Sequence, residues 1–424
     1  MAVPADLDLT EFDYALKDLY DPATVVSAVF KNNPLLARVP KNTKFPGRKF
    51  IYAVKYADMT GRSTAFASAQ GNRNPSKGVD FQITRAHDYA VGRIDTETML
   101  ASEDDEGAFL EATETEADSA INAIKRSLGI RMYGNGSGKI GSVSSPGADP
   151  TLTLENSDDI TNFEPGQRIV FAADEASALR DSGASLYVGD IDVDAGTFEC
   201  EDSSGAAANV TAVSGIADGD SIFTQGDYVS AGDRNMVIGL DGWNPKATES
   251  VSTSFNGVTR SVYRQRLAGS AYNDTSYPGY GTEEAIHLLI SRLNRMGQDP
   301  DSCYMGPDRW RGFISSLESR AQYIKETVNI VDKDGSLIAR VGFNGIEVSS
   351  GDSTVKCFKD FNCPEDRIHV IKNDVLELKS IGQVPRWLTT NRIVEDADQI
   401  EFRLGMFGNL RCKNPAALAR FDWA

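Results

Sequence analysis

Apolar and polar positions alternate in two runs near the start of the chain. In GRKFIYAVKYA (47–57), Phe50, Tyr52, Val54 and Tyr56 share one face and Lys49 and Lys55 the other. In VDFQITRAHDYAV (79–91), Val79, Phe81 and Ile83 alternate with Asp80, Gln82 and Thr84. A period of two is the signature of a half-buried strand. The stretch between them, DMTGRSTAFASAQGNRNPSKG, is rich in Gly, Ser, Asn and other small residues. The unit therefore reads as a long hairpin with a loose basic tip carrying Arg62, Arg73 and Lys77. A two-stranded hairpin alone is marginal in water. It needs a partner surface, and a second subunit is the simplest one, with Phe50, Tyr52 and Phe81 as contact candidates.

Upstream, DPATVVSAVFKNNPLL has Asp21 as N-cap, Pro22 at the first helical position and an apolar side of Val25, Ala28 and Phe30. Pro34 is expected to stop this helix. Residues 1–46 read as an arm that packs on something else. Downstream, EDDEGAFLEATETEADSAINAIKRSLGIRMY (103–133) gives the strongest helical period. Leu110, Ala117, Ile121, Ile124, Leu128 and Met132 form one stripe, with acids at the start and Lys125, Arg126 and Arg131 at the end.

GNGSGKIG (134–141) follows that helix. Gly136, Gly138 and Gly141 have the G-x-G-x-x-G spacing of a phosphate cradle. Such a cradle must follow a strand and open a helix. Here the order is reversed, and Ile140 stands where a P-loop needs Ser or Thr. The stretch reads as a helix end and hinge. Gly136-Ser137-Gly138 falls short of the five-residue nucleophile elbow, and no strand precedes it.

From 141 to 235 the pattern turns all-β. TLTLE, QRIVFAA, SLYVGDIDVD, GTFECED, NVTAV and DSIFTQ are short strand candidates, and their spacing suggests a small barrel or sandwich. Asp190, Asp192, Asp194 and Glu201 fall at calcium-loop positions, but Ala195 replaces the required glycine and no helices flank the run. A hairpin with solvated acids is the better reading. Beyond 236 the chain becomes α/β. GTEEAIHLLISRLNRMG has Thr282 as expected N-cap, GPDRWRGFISSLESR opens on Pro307, and DRIHVIKNDVLELKSIG alternates as strands. DQIEFRLGMFGNLRCKNPAALARFDWA is expected to run strand, glycine turn, strand, closed by Asn414-Pro415.

Charge sharpens this division. The 424 residues carry a net charge of −18, yet residues 140–235 hold eighteen acidic and three basic side chains, and residues 36–100 hold eleven basic and five acidic ones. The acidic block repels phosphate backbones and argues against a dedicated DNA binder. The length suits two or three domains. No apolar run is long enough to span a membrane, and the first residues lack the pattern of a secretory signal. Five scattered cysteines and three histidines favour free thiols over disulfides or a zinc cage. His287 stands beside Leu288 and Leu289 without an HExxH motif, and His87 and His369 lie in strand patterns without a nucleophile motif nearby. No catalytic, cofactor or metal residue stands out. The tryptophans are expected to pack in cores or subunit contacts.

In their order, KNNPLLARVPKNTKFPGRKFIYAVKY, AINAIKRSLGIRMYGNGSG, MGPDRWRGFISSLESR and FRLGMFGNLRCKNPAALARFDWA resemble the arm, extended loop, spine helix, α/β domain and closing strand of tailed-bacteriophage major capsid proteins. The resemblance implies an α+β phage major capsid fold of the Hong-Kong type with an inserted small all-β barrel. It divides the chain into an N-terminal arm (1–46), an extended hairpin loop (47–94), a peripheral domain with the spine helix (95–138 and 395–424), a β-barrel insertion domain (139–235) and an axial domain (236–394). It implies a non-enzymatic protein without cofactor that forms an icosahedral head shell around packaged double-stranded DNA. The implied partners are further copies in hexamers and pentamers, portal and scaffold proteins and a decoration protein. DNA would be contacted only non-specifically, with no membrane involved. The place would be the virion capsid, assembled in the bacterial cytoplasm. The basic hairpin, Arg62, Arg73 and Lys77, would meet the acid-rich spine start of a neighbour, Glu103, Asp104, Asp105 and Glu106. Some members join subunits through a loop lysine and an asparagine. Lys77 and Asn414 are the residues to consider, without local sequence support for such a bond. The competing reading is a β-rich virion-surface or tail adhesin that binds host glycans.

Overall fold

The computed structural model describes residues 33–95, 106–228, 234–317, 323–331, 337–351, 353–393 and 399–423. Its first described helix, α1 (Pro34–Arg38), begins at the proline expected to stop one. The missing amide of proline costs nothing in a first helical turn. The predicted helix before it lies outside the described residues. α1 is not free of its own subunit: Leu35, Leu36 and Val39 are buried in the central core. Over residues 33–39, the described start of the expected arm, three apolar side chains hold a one-turn helix in place on the chain's own core.

β1 (Lys41–Asn42) leads to the hairpin strands β2 (Lys49–Ala57) and β3 (Lys77–Thr84), joined through a short helix, α2 (Phe66–Gly71). The second predicted run is broken at Arg85. β3 pairs with β2, whereas β4 (Ala86–Asp95) leaves the hairpin and pairs antiparallel with the later strand β19 (Gln399–Cys412). Behind β4 lies the spine helix α3 (Glu106–Tyr133), tied to it where the Ser127 hydroxyl donates to the Asp88 carboxylate at 2.6 Å. Ile121, Ile124, Leu128 and Met132 are buried as the stripe predicts.

The helix ends in a glycine turn: the Gly134 amide donates to Ile130, and Gly136 and Gly138 take φ of +89° and +93°. Only glycine adopts such angles without strain. The stretch then becomes strand β5 (Lys139–Ser144), which the sequence did not announce. β5 joins β6 (Thr151–Leu154), β7 (Arg168–Ala172), β8 (Ser185–Asp192), β9 (Thr197–Glu201) and β10 (Ser221–Thr224) in a closed barrel, ordered β10-β5-β6-β9-β8-β7. Val143, Leu152, Ile169, Phe171, Val188, Phe198 and Ile222 fill its interior. NVTAV forms a short 3-10 turn instead of a strand.

Past the barrel, α4 (Leu240–Trp243) leads into a seven-stranded sheet ordered β11-β20-β16-β12-β15-β14-β13. Its strands are β11 (Ser270–Asn273), β12 (Ser302–Met305), β13 (Tyr323–Val331), β14 (Leu337–Ser350), β15 (Ser353–Lys359), β16 (Arg367–Ile371) and β20 (Leu418–Asp422). Helices α5 (Thr282–Arg295) and α6 (Pro307–Leu317) pack with it. Ala285, Ile286, Leu289, Ile290 and Leu293 all fall on the buried side of α5. Its N-cap is Gly281, not Thr282. The Gly281 amide donates to the Glu284 carboxylate at 2.6 Å, so the start is fixed by the side chain at the third helical position.

The remaining sheet runs β1-β17-β19-β18, with β4 also on β19, where β17 is Leu376–Ser380 and β18 Arg386–Ile393. β19 crosses the predicted glycine turn without bending. A Cβ at Gly405 would lie 2.6 Å from Leu388, and one at Gly408 would lie 2.5 Å from the Lys379 carbonyl oxygen, so these glycines serve close strand approach. The division expected from sequence shifts accordingly. β17 and β18, allotted to the α/β part, pair in the spine-side sheet, while β20, allotted to the spine side, lies between β11 and β16.

Two buried polar knots join these layers. Asp360 accepts from the Tyr133 hydroxyl at the spine's end (2.8 Å), the Leu35 amide of α1 (3.4 Å) and the Asn362 amide (3.1 Å). Asp241 on α4 bridges Arg367 of β16 and Arg420 of β20, the latter at 2.7 Å.

Candidate assembly surface

The hairpin has two chemically different faces. In register, Phe50 opposes Ile83, Tyr52 opposes Phe81, and Val54 opposes Val79. This inner face is anchored on the chain's own core. Phe81 is 0% exposed and meets Trp243 edge-on at 5.4 Å, with Tyr52 stacked on it at 5.9 Å. The Tyr52 hydroxyl donates to the Cys412 carbonyl at 2.6 Å, and burial pushes its pKa well up, so it stays a donor. The Asn409 amide donates to the Thr84 carbonyl at 2.9 Å. Tyr52 and Phe81 are thus intramolecular anchors and not inter-subunit contacts. Each buried side chain of this size contributes about 1.5–3 kcal/mol, which a solitary hairpin lacks. Phe50 is half-buried, beneath Lys379 (3.9 Å) and Arg411 (5.1 Å).

The outer face and tip are the reverse. Ile51 is 57% exposed, Met59 74% and Phe66 83%. α2 buries no residue, and the turn around it is closed by weak contacts such as Thr60 Oγ1 to the Asn72 carbonyl at 3.3 Å. Arg62, Arg73 and Lys77 are exposed around these apolar side chains. Tyr89 and Val91 continue the exposed apolar series onto β4, Tyr89 against Phe407 at 5.6 Å. Sequence reasoning missed Ile51, Met59, Phe66, Tyr89 and Val91. Ile51 was visible only as an apolar residue on the polar side of an alternation, and Val91, on the apolar parity of its run, was exposed by the break at Arg85. Met59 and Phe66 were hidden among small residues. The proposed acidic counterparts Glu103, Asp104 and Asp105 lie outside the described residues, and Glu106 opens α3.

The residues tested as chemical centres serve structure. His369 is fully buried beside Tyr133, Arg367 and Arg420, and burial and those cations push its pKa down to about 3, so it is neutral. His287 is half-buried on α5, and His87 is exposed on β4 against Phe407. Asp190, Asp192 and Asp194 belong to the β8–β9 hairpin, where Asp192 accepts the Asp194 and Ala195 amides at 3.1 and 3.0 Å. Asn414 is partly buried and donates to Gln298 at 2.8 Å.

No family model and no curated protein matches the chain in sequence. In three dimensions it is similar to the capsid asymmetric unit of cyanophage A-1(L), with a TM-score of 0.50 and 10% identity over 92% of each chain. The chain has the phage major capsid protein fold. Lower similarities extend to the capsid of a native GTA particle (TM-score 0.44, 9% identity, 92% of this chain and 90% of that one) and to a structure from Mycobacterium phage Bobi (TM-score 0.42, 11% identity, 99% of each). Among the described residues no helix is long and apolar enough to cross a membrane.

Proposed function

We propose that the chain is a shell-forming structural protein whose copies associate into hexamers and pentamers of an icosahedral head around double-stranded DNA. The barrel (139–235) then serves as an insertion domain. The observation that carries this is the division of the hairpin: one face welded to its own core, the other offering Ile51, Met59 and Phe66 to solvent. Large exposed apolar side chains on an otherwise anchored element, with exposed cations on the same segment, mark it as an association surface. The inner anchors supply the rigidity that such a surface needs, while Arg62, Arg73 and Lys77 supply selectivity for acidic neighbours. Portal, scaffold and decoration proteins are further partners of this reading, in a virion built in the bacterial cytoplasm.

The test is light scattering and electron microscopy of purified full-length protein over a range of concentration and salt. Closed particles or rings are expected. A chain that stays monomeric under every condition overturns the reading. The double variant Met59→Ser/Phe66→Ser is expected to keep its melting temperature within about 2 °C, since neither side chain is buried, and to lose association by at least about tenfold.

A further inference from the structure

The geometry points to a second, electrostatic contact between copies: the basic shelf at the foot of the hairpin receives the acidic β8–β9 turn of another copy. This rests on the shell-forming reading and specifies a joint within it. Lys44, Arg48 and Lys49 are exposed on the segment entering β2, and Lys413 is exposed just beyond β19. Between them, Lys379 and Arg411 lie against the Phe50 ring, with Arg411 also 4.3 Å from the Tyr52 ring. Phe45 packs edge-on to Phe50 at 6.2 Å, which holds the Lys44–Lys49 segment over the same floor. Among the described residues the one carboxylate ion-paired to any of these six cations is Glu377, 3.0 Å from Arg411. Burial depresses the Lys379 pKa, Glu377 opposes that, and Arg411 and Lys413 add to it. In a chain of net charge −18 these six cations face one internal carboxylate among the described residues, Glu377, and the surplus stands on the exposed Lys44, Arg48, Lys49 and Lys413.

The complementary surface is on the same chain. Asp190 and Asp192 are exposed on β8, Asp194 is exposed in the turn, and Val193, 62% exposed, forms its apex. The two amides held by Asp192 stiffen that turn. Three carboxylates beside one apolar side chain match the exposed Lys44, Arg48, Lys49 and Lys413, and each copy supplies one of each surface. Among the described residues no ion pair joins shelf and turn within one molecule. A nucleic acid is the less suitable occupant, because the eighteen acids of residues 140–235 on the same chain repel it.

The test is charge exchange in the full-length protein, read as association by analytical ultracentrifugation at low and high salt, with circular dichroism melts to confirm folding. Lys44→Glu/Arg48→Glu/Lys49→Glu and, separately, Asp190→Lys/Asp194→Lys are each expected to weaken association about tenfold or more. Asp192 is left in place because it caps the turn. An equimolar mixture of the two variants is expected to regain wild-type association, since each then offers the charge that the other lacks. A shelf variant that associates like wild type, or a mixture that regains nothing, overturns the contact while leaving the shell reading standing. So does a shelf variant that associates normally but no longer retards a 30-base-pair DNA duplex. Absence of association by the wild type overturns both.

Discussion

Single residues carry the joints of this molecule, and the two buried carboxylates have opposite pH signs. Burial resists ionisation of Asp241, but Arg367 and Arg420 outweigh it and hold the pKa near 2. Its contribution is therefore present above the usual carboxylate range near 4 and lost as pH falls toward 2. Asp241→Ala leaves two buried guanidinium groups without their shared partner, and a loss of about 3–5 kcal/mol is expected in urea unfolding at pH 7. Asp360 has no such cation. Burial raises it to about 6 in spite of hydrogen bonds from Tyr133, Asn362 and Leu35. The folded state then binds the proton more tightly than the unfolded chain. Stability from this site is full below about pH 4 and falls by about 3 kcal/mol as pH rises through 6. In Asp360→Asn that falling limb should vanish from the variant's own stability profile across pH 4–7, and so appear in the difference between wild-type and variant unfolding free energies. An unchanged limb would show that Asp360 is not its source. Trp243 sets the packing around the hairpin foot. Its indole N–H donates to the Leu410 carbonyl at 3.2 Å, and Phe81 and Phe255 abut it. Trp243→Ala should cost about 3–5 kcal/mol.

Among the elements, the hairpin shows where sequence reading works and where it stops. Alternation gave both strands and the correct inner face, because a period of two follows from backbone geometry alone. It could not tell which surface would cover that face. Trp243 and the Cys412 carbonyl lie far away in sequence, and an apolar stripe carries no address for its partner. Tyr52→Phe tests the anchor. The Cys412 carbonyl loses its donor, and a cost of about 1 kcal/mol is expected from thermal unfolding, with association unchanged. The spine helix was readable for the opposite reason, since its stripe and its polarised ends are local properties. The glycine stretch after it was correctly read as an end and hinge, yet the strand it enters was invisible. KIG becomes β5 only because β10 and β6 flank it. At Gly405 and Gly408 the reading failed because glycine signals both turns and close strand contact, and only the neighbouring Leu388 and Lys379 decide between them.

For the whole molecule, the succession of hairpin strands, long helix, short β-strands and α/β layer was legible, and the exchange of strands between layers was not. β19 belongs to one sheet, and after the Asn414-Pro415 corner the chain enters the other as β20. There β20 pairs parallel with β11 and antiparallel with β16, and its Arg420 completes the Asp241 bridge. The seam between β11 and β16 thus stays open until residues 418–422 have emerged from the ribosome. A product of interrupted translation would carry two bare strand edges, prone to clumping and to protease attack. Only polypeptides translated through Asp422 close that sheet.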